Sequence, residues 1–79
     1  MTERRIASRS RVLKTGRLVL SERAPKLECT IHNLSTTETL LQVSSTFGIP
    51  ADFDLFIGSE RRSCRVVWRT DSRLGVAFR

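Results

Sequence analysis

Between Lys26 and His32 the chain alternates without a break. Leu27, Cys29 and Ile31 are apolar, while Lys26, Glu28, Thr30 and His32 are polar. Successive side chains of a strand point to opposite faces, so this period of two predicts a strand with one wet face. The pattern recurs along the chain. Val12–Leu20 predicts a half-buried strand, with Val12, Lys14, Gly16, Leu18 and Leu20 on one side and Leu13, Thr15, Arg17 and Val19 on the other. Thr39–Val43 predicts a short third strand, and Phe53, Leu55 and Ile57, alternating with Asp52, Asp54 and Phe56, a fourth. In Arg62–Arg69, Cys64, Val66 and Trp68 share one parity, and Leu74, Val76 and Phe78 close the chain in a sixth strand. The intervening segments, Ser21–Pro25, Asn33–Glu38, Ser44–Ala51, Gly58–Arg61 and Thr70–Arg73, hold the glycine, proline, asparagine and serine that favour turns.

Six short strands and no segment of helical period predict an all-β domain over residues 12–79. The expected form is a small six-stranded antiparallel barrel with no long C-terminal helix. By parity its interior is filled by Leu27, Cys29, Ile31, Leu41, Phe53, Leu55, Val66, Trp68, Val76 and Phe78. Trp68 has a second reading, a platform on which a base stacks. Core packing is the preferred one, because Arg65 and Arg69 take the opposite face.

Composition adds a partner class. The chain has 79 residues, 39% hydrophobic and 28% charged, as in an ordinary single domain. Its net charge of +6 points to an anionic partner. Of 14 basic residues 12 are arginine, and four of these fall in Glu3–Arg11. Arginine presents a fixed planar fork of donors that matches phosphate and purine edges, which lysine does not. Residues 1–11 have no periodicity and read as a flexible basic arm. We expect this arm to form one jaw of an anion site, with the turn Asn33-Leu34-Ser35 as the other. No apolar run approaches the roughly 20 residues of a membrane span. No apolar leader follows the basic start, so the expected location is cytoplasmic. Cys29 and Cys64 lack metal-ligand spacing and read as reduced core thiols, with a disulfide as the alternative. His32 lies at a strand end with no second ligand or nucleophile near it in sequence, so neither catalysis nor a metal is expected.

The chain resembles the PilZ family, bacterial receptor modules for cyclic di-GMP. The residues that carry the resemblance are Glu3-Arg4-Arg5-x-x-x-Arg9, then Asn33-x-Ser35, then Cys64-Arg65-Val66-Val67-Trp68-Arg69 followed by Arg73-Leu74-Gly75-Val76-Ala77-Phe78. The resemblance implies that Arg5 and Arg9, with Arg4 beside them, are the family's RxxxR pair, which grips guanine edges and phosphates. It implies that Asn33 and Ser35 are the first two positions of the (D/N)xSxxG motif, which hydrogen-bond a guanine. The chemistry of the residues agrees: the ligand carries two phosphate charges, and guanine O6 and N7 accept a bidentate arginine. The implied function is a non-enzymatic signalling receptor. The arm orders on the ligand and the output passes to an unidentified downstream protein. No cofactor is implied beyond the ligand itself. Glu38 departs from the pattern, standing where the motif has glycine. It forgoes the positive φ or close approach that glycine allows, and it brings a carboxylate to an anion site.

Two other classes fit part of the chain. One is a degenerate PilZ-like module that works by protein contact alone. The other is a small basic barrel binding nucleic acid. Such barrels expose several aromatics for stacking, whereas the four Phe and one Trp here fall mostly at core parity, so nucleic acid is not the expected partner.

Overall fold

The computed structural model describes residues 13–79, and in it the alternating segments are strands of one closed antiparallel barrel. They are β1 (Lys14–Val19), β2 (Leu27–His32), β3 (Glu38–Gln42), β4 (Asp52–Ile57), β5 (Glu60–Arg69) and β6 (Arg73–Phe78). Their order around the barrel is β1-β2-β3-β6-β5-β4, closed by β4 against β1. The expected all-β, six-stranded architecture is therefore the one observed. Among the described residues no helix is long and apolar enough to cross a membrane.

The core follows strand parity. Leu18, Ile31, Leu41, Leu55, Leu74 and Val76 are at most 1% exposed. Each lies on the apolar side of its strand, and together they fill the barrel. Cys29 and Cys64 are buried in the same core as free thiols. Burial in apolar surroundings disfavours the thiolate and raises both pKa values to about 11. The two buried hydroxyls are satisfied: Thr39 Oγ1 donates to His32 O at 2.7 Å, and Thr46 Oγ1 donates to Thr70 O. Outside the barrel, Asp54 receives Arg61 at 2.7 Å, and Asp52 receives Arg79 at 2.8 Å and Arg65 at 3.2 Å. These pairs are exposed, so each contributes at most about 1 kcal/mol.

Not every side chain obeys the simple alternation. Leu27, expected inside, sits at the barrel mouth with 36% exposure. Val66 and Phe78 are partly buried against the core. Trp68 is the real exception. Val66 pairs with Val76, but Trp68 pairs with Gly75, so β5 spends one residue more than β6 at this point. The extra residue is Val67, a β-bulge. One inserted residue reverses parity for everything after it. Trp68 therefore turns outward, 45% exposed, instead of joining Cys64 and Val66 in the core. Arg69 pairs with the core residue Leu74 and reaches Thr46 O with Nη1 at 3.2 Å, capping the end of the barrel.

Candidate functional site

The outward turn of Trp68 builds a surface across four strands. Trp68 is paired to Gly75, Gly75 to Leu40, and Leu40 to His32. Paired residues of neighbouring strands share a face. Gly75 has no side chain for a physical reason: a Cβ there would lie 2.1 Å from Trp68 Nε1 and 2.3 Å from Cε2. The indole thus lies flat across the β6 backbone, a close approach that only glycine permits.

Beside this ring the chain leaves β2 through Asn33, which adopts φ 49°. Asparagine is among the few residues that tolerate the left-handed region, because its short amide bonds locally. Its carboxamide has no hydrogen-bond partner among the described residues. Ser35 is engaged differently. Its hydroxyl accepts Thr37 N–H at 3.2 Å and Glu38 N–H at 3.1 Å, and donates to Glu38 O at 3.0 Å. A hydroxyl has one donor and two acceptor positions, so Ser35 is saturated by its own turn. It fixes the shape that presents Asn33.

Glu38 lies at the start of β3, paired with Ala77. Among the described non-glycine residues only Asn33 has positive φ, so position 38 does not require glycine's conformational freedom. The consequence of glutamate there is its charge and bulk. Glu38 lines, with Asn33, Thr39, Leu40, Trp68 and Gly75, a depression of about 250 Å³. That is below the roughly 300 Å³ at which drug-sized pockets begin. It accommodates one ring system, not a whole dinucleotide.

Two of the larger depressions among the described residues are poorer candidates. One of about 590 Å³ is lined by Asp52, Asp54, Arg61 and Arg79, whose charges already compensate one another. The other, about 690 Å³, is lined mainly by neutral groups and by His32, whose Nε2 is 3.2 Å from Gln42 Oε1. Among the described residues no group of three or more His, Cys, Asp or Glu could hold a metal ion.

Of the residues expected at the site, Asn33, Ser35 and Glu38 are thus brought together in one turn and its following strand. Arg4, Arg5 and Arg9 lie outside the described residues. The register nevertheless locates where their segment joins the barrel. Lys14 pairs with Ile31, so the chain enters β1 at the end where β2 delivers His32 and Asn33. Sequence reasoning ranked Trp68 as core ahead of its alternative as a stacking platform, and missed Gly75 and Leu40 as the rest of this surface. The available signals were the adjacent valines 66 and 67, which break the alternation, and a glycine inside β6, which marks a close approach. No model of a known protein family matches the chain, and no curated protein matches it.

Proposed function

We propose that this barrel is a non-enzymatic receptor module for cyclic di-GMP. The observation that carries the reading is the meeting of an exposed indole and an unengaged carboxamide at a ring-sized depression. A purine stacks on an aromatic face with roughly 1–3 kcal/mol per base, and the carboxamide of Asn33 reads its edge. One guanine of the ligand occupies the depression beside Trp68. Arg5 and Arg9, assisted by Arg4, grip the phosphates and the guanine edges from the leading segment, which enters β1 at the same end of the barrel. Ser35 acts through the turn it holds. Closure of the arginine segment over the ligand changes the surface that a downstream cytoplasmic protein meets.

The test is thermal melting and titration calorimetry with cyclic di-GMP, with GMP and random single-stranded DNA as comparisons. A ligand at 100 times its Kd stabilises the native state by about 2.7 kcal/mol, a readily measured shift in Tm. Arg5→Ala, Arg9→Ala, Asn33→Ala and Trp68→Ala should each reduce that shift. A Tm unmoved by millimolar cyclic di-GMP would refute the reading, as would equal affinity for GMP. A steeply salt-dependent affinity for DNA would select the nucleic-acid barrel instead. Glu38 favours one further reading. Its carboxylate lines the same depression and repels an anionic ligand. A chain that has exchanged nucleotide binding for protein contact would keep this geometry and show no ligand effect on melting.

A further inference from the structure

Phe47, in the 44–51 loop, is 94% exposed, the most exposed large apolar side chain among the described residues. Single exposed apolar residues are common and need no explanation. The construction beneath this one sets it apart. Ile49 N–H donates to Thr46 O at 3.2 Å, and Gly48 has φ 82°, the geometry of a type II turn with its required positive φ at the third position. Both ends of the turn are buried, Thr46 at 6% exposure and Ile49 at 3%. Thr46 N–H donates to Asp71 O at 2.9 Å, and Phe47 N–H to Ser45 Oγ at 3.1 Å. The ring, at the second position, is held in water by the anchoring of its neighbours.

Its surroundings are apolar and basic. Val67, the bulged residue, is 64% exposed, and the adjacent Val66 N–H donates to Ala51 O at 2.8 Å, so loop and bulge run side by side. Arg69 reaches Thr46 O from behind the turn. Arg73 follows in the turn that Thr46 is bonded to. Arg61, Arg62, Arg65 and Arg79 have carboxylate partners, whereas Arg69 and Arg73 have no ion pair among the described residues. Asp71 is the one carboxylate of the 70–73 turn.

The geometry points to this end of the barrel as a docking tip for an anionic lipid surface. Phe47 enters the boundary between headgroups and acyl chains, and Arg69 and Arg73 face lipid phosphates. Two features favour lipid over a protein partner. Phe47 is 94% exposed, and a bilayer conforms to a single exposed ring, whereas a protein must supply a matching pocket. The charge is also complementary: an apolar insert flanked by arginines on a chain of net charge +6 is the combination that holds peripheral proteins to acidic leaflets. The tip shares no residue with the depression at Trp68, so this proposal stands or falls apart from the nucleotide reading.

The full chain should co-sediment with vesicles of equal parts phosphatidylglycerol and phosphatidylcholine, and not with phosphatidylcholine alone. Phe47→Ser should weaken partitioning about tenfold, the order expected for withdrawing one large apolar side chain. Arg73→Gln should weaken it roughly fivefold, the contribution of one basic residue near an acidic surface. Since the Phe47 ring is in solvent, Phe47→Ser leaves the fold intact. As an independent readout, Phe47→Trp in a Trp68→Phe background carries a single indole at the tip, whose emission should shift to the blue on acidic vesicles. Retention of parental binding by Phe47→Ser, or an unshifted emission, overturns the proposal. So does failure of the parent chain to bind acidic vesicles, which would leave the tip to a protein partner.

Discussion

Replacing Gly75 by alanine tests the Trp68 platform most directly. The new Cβ would stand 2.1 Å from Nε1, far inside contact distance, so the indole must lift off β6. Trp68 is 45% exposed, so rather more than half of it is covered. A tryptophan buries up to about 250 Å², which makes the covered part roughly 130 Å². At about 25 cal/mol per Å² this is worth roughly 3 kcal/mol as an upper bound. The lifted ring keeps some of its contacts, so Gly75→Ala should cost about 1–2 kcal/mol. In a domain of this size that lowers Tm by roughly 5–15 °C. The same change in a Trp68→Ala background should be neutral or slightly stabilising, because alanine loses less backbone entropy than glycine in a strand. A double-mutant cycle read by urea unfolding should therefore give a coupling of about 2 kcal/mol between positions 68 and 75. Ligand affinity should fall with Gly75→Ala, since the lifted ring no longer offers its face. If alanine at 75 costs as much without the indole as with it, the contact that excludes a side chain there is not Trp68, and the platform argument collapses.

Three further outcomes follow from the same geometry. Deleting Val67 removes the bulge but places Trp68 directly after inward-facing Val66, so the indole should stay outward and paired with Gly75; the barrel should remain folded at a cost of about 1 kcal/mol, and a collapsed urea midpoint would refute this register. Glu38→Gln and Glu38→Gly should both raise affinity for cyclic di-GMP severalfold in calorimetry. Equal gains would assign the effect to charge, in keeping with the ordinary backbone at that position. The thiols supply a pH test. Burial raises Cys29 and Cys64 from 9.0 to about 11, so the native state holds these protons more tightly than the unfolded chain. Their contribution is intact below pH 9 and is lost as pH rises from 9 towards 11, with accelerated alkylation by iodoacetamide in step. A Cys29→Ala, Cys64→Ala double variant should lose this alkaline sensitivity, and its persistence would point to other groups.

Strand number and the inward positions Cys29, Ile31, Phe53, Leu55 and Val76 were legible because period-two alternation is a local property, whereas the order of the strands around the barrel was not. Leu18 belongs to the same class: its strand and parity were readable, although it was not expected among the residues filling the barrel. Val43 and Ile49 are different. They are buried by a loop that folds back over the barrel end through bonds from Val43 N–H to Ser72 O and from Thr46 N–H to Asp71 O, and no local pattern encodes contacts so distant in sequence. Trp68 was misread because parity was carried unbroken through Arg62–Arg69, when two adjacent valines and the glycine opposite already allowed for a bulge. At the site, the Asn33–Glu38 turn was readable from residue types. What Ser35 does within it was not, since a serine hydroxyl that binds a ligand and one that staples a turn look alike in sequence.

The closure of β4 against β1 has a consequence for assembly. Each of the six strands has a neighbour on both sides, so the barrel offers no open rim of unpaired amides and carbonyls. A partner cannot join this domain by adding a strand, nor can copies polymerise edge to edge without first prising the barrel apart. Whatever engages it must do so through side chains standing on the outer wall, which is why one indole and one phenyl ring, both turned to water, matter more here than the sheet that carries them.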